Sequence, residues 1–109
     1  MNQQTEVEEE ISFDNLSFLR VRPSQTFNPS ILENHDAIIL EYFGRHNVLE
    51  AIKQIRSHNE KLVYITPIFL LIEGGNTEDS IVALADGVIE KLTNLDSAAS
   101  VTRKIISRI

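Results

Sequence analysis

A chain of 109 residues with 42% hydrophobic content and mixed charge can fill one core but not two, which excludes both a wholly disordered chain and a pair of domains. Its net charge of −6 disfavours a nucleic-acid backbone as partner, and the absence of cysteine excludes disulfides and thiolate chemistry. The longest apolar run, about eight residues from Ile65 to Ile72, falls well short of the roughly twenty that a membrane-spanning helix needs.

The opening Met-Asn-Gln-Gln-Thr-Glu has no basic region and no apolar core, so no signal peptide is expected. Residues 1–6 are expected to be a disordered tail, with one α/β domain over 7–109 and a cytoplasmic location. From Val7 the pattern changes. Ile11/Phe13 and Leu16/Phe18 show period-two spacing on either side of Asp14-Asn15, two residue types that tolerate left-handed backbone. Two readings stand: a tight hairpin, or a frayed tail followed by one strand over about Leu16 to Val21. The acidic run Glu8-Glu9-Glu10 has the charge of a metal or phosphate-site acid group. Neighbours on a strand point to opposite faces, however, so a solvated face is the expectation.

Arg22 to Phe27 reads as loop, and Asn28-Pro29 opens a short helix ending near Asn34. Asp36-Ala-Ile-Ile-Leu-Glu-Tyr-Phe-Gly44 comes next, with four consecutive apolar residues running into Glu41. Such a run suits a strand buried on both faces in a parallel sheet. Val48, Leu49, Ile52 and Ile55 then form one helical stripe over Asn47 to Arg56. A polar turn over His58 to Lys61 leads to a second apolar run, Leu62-Val-Tyr-Ile65, read as the next strand. Ile68 to Ile72 is either a buried continuation of that strand or an apolar loop awaiting a partner. Thr77 caps a helix with Ile81, Val82, Leu84 and Ala85 inward, and Gly87 stops it. Val88 to Leu92 is the last strand. Asp96-Ser97 caps a final helix whose stripe is Ala98, Val101, Ile105 and Ile109. That helix has no glycine or asparagine stop, from which a longer parent protein is expected.

Three strand ends recur 25 positions apart: Glu41, Thr66 and Lys91. In a parallel sheet of adjacent strands these would meet at the carboxyl edge, where α/β proteins place their ligands. A carboxylate, a hydroxyl and an ammonium there could form one hydrogen-bonded ion pair. The plainer readings are a solvated lysine at Lys91 and a strand-terminating hydroxyl at Thr66. Glu41, at the end of a buried strand, demands a partner. His35, His46 and His58 lack metal-ligand spacing, and no nucleophile–base pair or glycine-rich phosphate loop is visible.

With these residues in order, the stretch from Leu16 to Ile109 resembles a receiver domain of the two-component response-regulator family. Ile-Ile-Leu-Glu41-Tyr-Phe-Gly resembles the family's third strand, which ends in the phosphate-accepting aspartate. Val-Tyr-Ile-Thr66-Pro resembles the fourth, ending in threonine or serine, and Ala85 to Lys91 the fifth, ending in lysine. The resemblance implies a three-layer, flavodoxin-like α/β fold with a mostly parallel sheet of four to five strands. The first βα unit would be missing or remodelled as an N-terminal hairpin. The departures are specific. Glu41 replaces the aspartate, Pro67 follows the threonine, and Arg22-Pro23-Ser24 offers no acid pair for Mg²⁺.

The implied function is a phosphorylation-independent pseudo-receiver, a regulatory or dimerisation module with Glu41, Thr66 and Lys91 as a degenerate phosphoacceptor pocket. Its partner would be a protein or a second copy, with no cofactor, metal, nucleic acid or membrane engaged by this domain. The family's contact face is built from the last two helices and last strand, here about Thr77 to Ile109. Ile68, Phe69, Leu71, Val101 and Ile105 are the candidate interaction surface. Two alternatives are an active receiver that borrows acids from Glu8, Glu9 or Glu10, and an accessory domain of a larger enzyme. A bacterial sugar transferase of surface-polysaccharide synthesis is one such enzyme.

Overall fold

The computed structural model describes residues 8–23, 34–42, 45–62, 65–72 and 79–107. Two antiparallel strands open it, β1 (Glu8–Phe13) and β2 (Leu16–Val21), with Phe13 opposite Leu16 and Glu8 opposite Val21. The turn between them is Asp14 at φ 54° and Asn15 at φ 65°. A two-residue loop with both angles positive matches the right-handed twist of the strands it joins, so the hairpin reading holds. β3 (Ala37–Glu41), β4 (Ile68–Leu71) and β5 (Gly87–Ile89) run parallel to β2, giving a sheet of order β1-β2-β3-β4-β5.

Side-chain alternation sorts the sheet into two apolar faces. Leu19, Val21, Ile38, Leu40, Ile68 and Leu70 point to one. They meet Val48, Ala51, Ile52 and Ile55 of α1 (Arg45–Leu62) and Ile81 of α2 (Asp79–Val82). Phe18, Ile39, Phe69, Leu71 and Ile89 point to the other, against Leu95 and the Ala98-Ala99 pair of α3 (Asp96–Ile106). This is an α/β fold with helices on both faces. On the second face the Phe18 and Phe69 rings lie 6.4 Å apart at 58°. A Cβ on Gly87 would approach the Phe69 ring to 3.1 Å, so any larger residue there needs the ring to give by a few tenths of an ångström.

Several boundaries differ from the sequence expectation, each for a local reason. The fourth strand is Ile68–Leu71, not Leu62 to Ile65, because α1 runs on to Leu62 and its buried stripe is carried one turn further by Asn59. The polar residues 58–61 are thus helix, not turn. α2 ends at Val82, where the chain tightens through bonds from Leu84 N–H to Ile81 O and Ala85 N–H to Val82 O. Gly87 therefore opens β5 instead of stopping a helix. On α3 the buried stripe is Ala98, Ala99 and Thr102, while Val101 and Ile105 are only half-buried. The expected tail at 1–6 and most of the short helix near 29–34 lie outside the described residues. No helix among the described residues is long and apolar enough to cross a membrane.

The turn geometry is directly testable. Asn15→Val forces a β-branched residue into left-handed backbone and should cost about 1–2 kcal/mol, whereas Asn15→Gly should cost nothing or stabilise. Equal urea midpoints for the two variants would show that this turn does not hold the hairpin.

Candidate functional site

Among the described residues, the carboxyl edge of the sheet carries a four-residue ionic cluster. On β2, Phe18 and Arg20 share a face by alternation, and Arg22 continues it just past the strand end. On β3, Ala37, Ile39 and Glu41 share the same face. The β2–β3 register sets Arg20 opposite Ile39 and Val21 opposite Leu40, so one more step brings Arg22 beside Glu41. The result is a carboxylate gripped at both oxygens. Arg20 Nε lies 2.9 Å from Glu41 Oε2, and Arg22 Nη2 lies 3.2 Å from Oε1. Arg20 reaches back through Nη1 to Glu9 Oε1 at 2.8 Å, across the β1–β2 pair.

Glu41 is the buried member, its side chain 12% exposed against 25% for Arg20 and 39% for Arg22. A carboxylate this deep is retained only with charge compensation and hydrogen bonds. Two guanidiniums supply the charge, Arg22 Nη2 also donates a hydrogen bond to Oε1, and the four groups together sum to zero charge. The same arrangement opposes a divalent cation, because Mg²⁺ needs free carboxylate oxygens and here both oxygens of Glu41 face cations.

Lys91 lies two residues past β5 at this same carboxyl edge, and β5 stands two inter-strand spacings, about 10 Å, from the strand of Glu41. It is exposed and lines a shallow hollow with Asn94 and Ser97 at the start of α3. Thr66 is elsewhere. It precedes β4 on the amino edge, on the order of 15 Å along the strands from Glu41. There it is buried and bonded twice to Asn59: its N–H donates to Oδ1 at 2.9 Å, and its Oγ1 accepts from Nδ2 at 3.0 Å. Arg56 donates to its carbonyl at 3.2 Å and also pairs with Asp86, which in turn accepts from the Ile68 N–H at 2.8 Å. Thr66 thus helps to fasten α1 to the start of β4. The three-residue pocket is corrected to a pair at one edge with Thr66 at the other.

The expected interaction surface is corrected as well. Ile68, Phe69 and Leu71 are buried inside β4, between β3 and β5 and under helices on both faces. Val101 and Ile105 remain on α3, half-buried. Arg20 and Arg22, the decisive partners, were readable in principle. They share the parity of Phe18, and a carboxylate ending an all-apolar strand requires cations on the neighbouring one. The acidic run divides as alternation demands: Glu9 turns to Arg20 on one face, Glu10 to Ser17 and His35 on the other. Compared with family models, curated proteins and solved structures, the chain matches none of them.

Removing the central charge tests the cluster. Glu41→Gln leaves two partly desolvated guanidiniums facing a neutral amide and should cost about 1–3 kcal/mol, the discount from a fully buried pair reflecting solvent at both arginines. Arg22→Met should cost less. In a double-mutant cycle the two should be non-additive by about 0.5 kcal/mol or more. Additive urea midpoints would mean that the carboxylate is held by something else.

Proposed function

We propose that this chain is a receiver-like, phosphorylation-independent cytoplasmic module that works by protein contact. The observation that carries the reading is the grip of Arg20 and Arg22 on Glu41 at the carboxyl end of β3. A phosphoaccepting receiver needs an aspartate there and acids beside it to hold Mg²⁺. This chain has a glutamate, and guanidiniums beside it. A carboxylate one methylene longer and already charge-paired can hold an ion-paired state without turnover.

Strand order supports the same reading. In flavodoxin-like sheets the order is 2-1-3-4-5, with the first strand between the second and third. The order β1-β2-β3-β4-β5 corresponds if β2 to β5 stand for strands one, three, four and five and β1 replaces the second in antiparallel sense. The contact face is proposed along the last strand and helices. Leu84, Val88 and Ile106, three large apolar side chains exposed to solvent, fall in that stretch.

Incubating the full chain with acetyl phosphate and Mg²⁺, then measuring intact mass, should give an unmodified protein. A single phosphoryl adduct mapped to Glu41 would defeat the proposal. Sedimentation at rising concentration examines the contact face, where Val88→Lys should weaken any self-association if the partner is a second copy.

A further inference from the structure

Folding brings together, on the amino edge of the sheet, a hydroxyl and an imidazole that stand 18 positions apart in sequence. Ser17 Oγ lies 2.9 Å from His35 Nδ1. Glu10 Oε2 is 3.2 Å from the same hydroxyl and 3.5 Å from the same ring nitrogen. The serine is held at its backbone on both sides: its N–H donates to Asp36 Oδ2 at 2.7 Å, and its carbonyl accepts from the Asp36 N–H at 2.8 Å. The His35 side chain is 13% exposed. Ser17 is not sealed in, for it lines a hollow of about 410 Å³ together with Asp14, Asn15 and Asp36.

A nucleophile within hydrogen-bond reach of a base, with a third group beside the base, is the arrangement that activates serine. From it we infer that Ser17 is an acylation site, taking the acyl group of a small uncharged carboxylic ester. The Ser17 Oγ–carbon bond forms while the ester's bond to its alkoxy oxygen breaks. The hydroxyl, which donates to Glu10 Oε2, turns to His35 Nδ1 and gives up its proton there; the proton then passes to the departing alcohol oxygen, leaving acyl-Ser17 and free alcohol. Glu10 stabilises the imidazolium as it forms, since its carboxylate faces the nitrogen that gains the proton. Asn15, on the rim of the hollow, offers uncharged N–H donors for the ester carbonyl. The choice of an uncharged donor rests on charge. Glu10, Asp14 and Asp36 surround the serine on a chain of net −6, which repels phosphate and carboxylate donors. The site lies at the opposite edge from Glu41 and its chemistry is independent of the phosphodonor result there.

p-Nitrophenyl acetate is the probe. The full chain should take up one acetyl group with release of one equivalent of p-nitrophenolate, and peptide mapping should place the group on Ser17. His35→Gln should slow acetylation of Ser17 by roughly 100-fold, the contribution of a general base. Glu10→Gln should slow it less, and Ser97→Ala, at the opposite edge of the sheet, should leave it unchanged. Ser17→Ala should abolish the adduct, but the His35→Gln rate is read on an intact serine and decides the matter even if the Ser17→Ala chain folds poorly. An adduct confined to lysine or to other serines, no adduct, or a His35→Gln rate equal to that of the parent overturns the inference and leaves a hydrogen-bonded clasp.

Discussion

The fold rests on one constraint: β3 and β4 are buried on both faces, so everything polar about them must be satisfied at their ends. All five residues of β3 are buried, and the last is a carboxylate. All four of β4 are buried and apolar. A strand in that position can take its hydrogen bonds from its neighbours but cannot leave a charge unpaired. At the carboxyl end of β3 the answer is Arg20 and Arg22. At the amino end of β4 it is Asp86, which accepts from the Ile68 N–H and is itself paired with Arg56 of α1. Helix, turn and strand are fastened together at one edge by the second network, and hairpin and sheet at the other edge by the first.

Scarce burial puts the hairpin in a different position. β1 has no buried residue; Ile11 and Phe13 are half-covered and the rest are exposed. Hydrophobic contact alone would hold such a strand weakly. Its attachment is supplemented from three directions: Glu9 to Arg20 on one face, Glu10 to Ser17 and His35 on the other, and Arg103 of α3 donating to the carboxylate and carbonyl of Asp14 at the turn. Exposed ion pairs contribute little individually. The aligned twist of a turn with two positive φ angles does more, by fixing register before any ion pair forms. The acidic edge also discourages another chain from adding itself to the sheet, as charged edge strands do.

Much of this was legible from residue order, and the failures have identifiable causes. The continuous apolar run ending in Glu41 and the helical stripe through Val48, Ile52 and Ile55 each point to one structure, and each is found; alternation around Asp14-Asn15 leaves two readings, of which the hairpin is found. The misplaced strand arose at Leu62-Val-Tyr-Ile65, where β-branched and aromatic residues carry the same local signal as Ile68-Phe-Leu-Leu71. Periodicity cannot choose between two short apolar runs; the choice was made by Asn59, whose buried amide needs the N–H and hydroxyl of Thr66. Moving the strand by one segment carried Thr66 from one edge to the other and Ile68, Phe69 and Leu71 from the surface to the interior. Ser17 and His35, widely separated in sequence, leave no local signature and meet only through register.

The two ends of this sheet also divide the chemistry. In open parallel sheets the carboxyl edge is where ligands gather, because the loops there diverge and leave a crevice. Here the charges of the β2–β3 cluster at that edge cancel internally, each oxygen of Glu41 ion-paired and Arg20 shared with Glu9, so a metal or phosphate entering that cluster would have to break existing pairs before making new ones. Breaking a partly buried pair costs more than the pair contributed, since it leaves a desolvated charge behind. An edge built this way favours constancy over response. The exposed large apolar residues stand apart from that cluster: Ile65 before β4 at the amino edge, Leu84 in the turn before β5, Val88 on β5 and Ile106 at the end of α3.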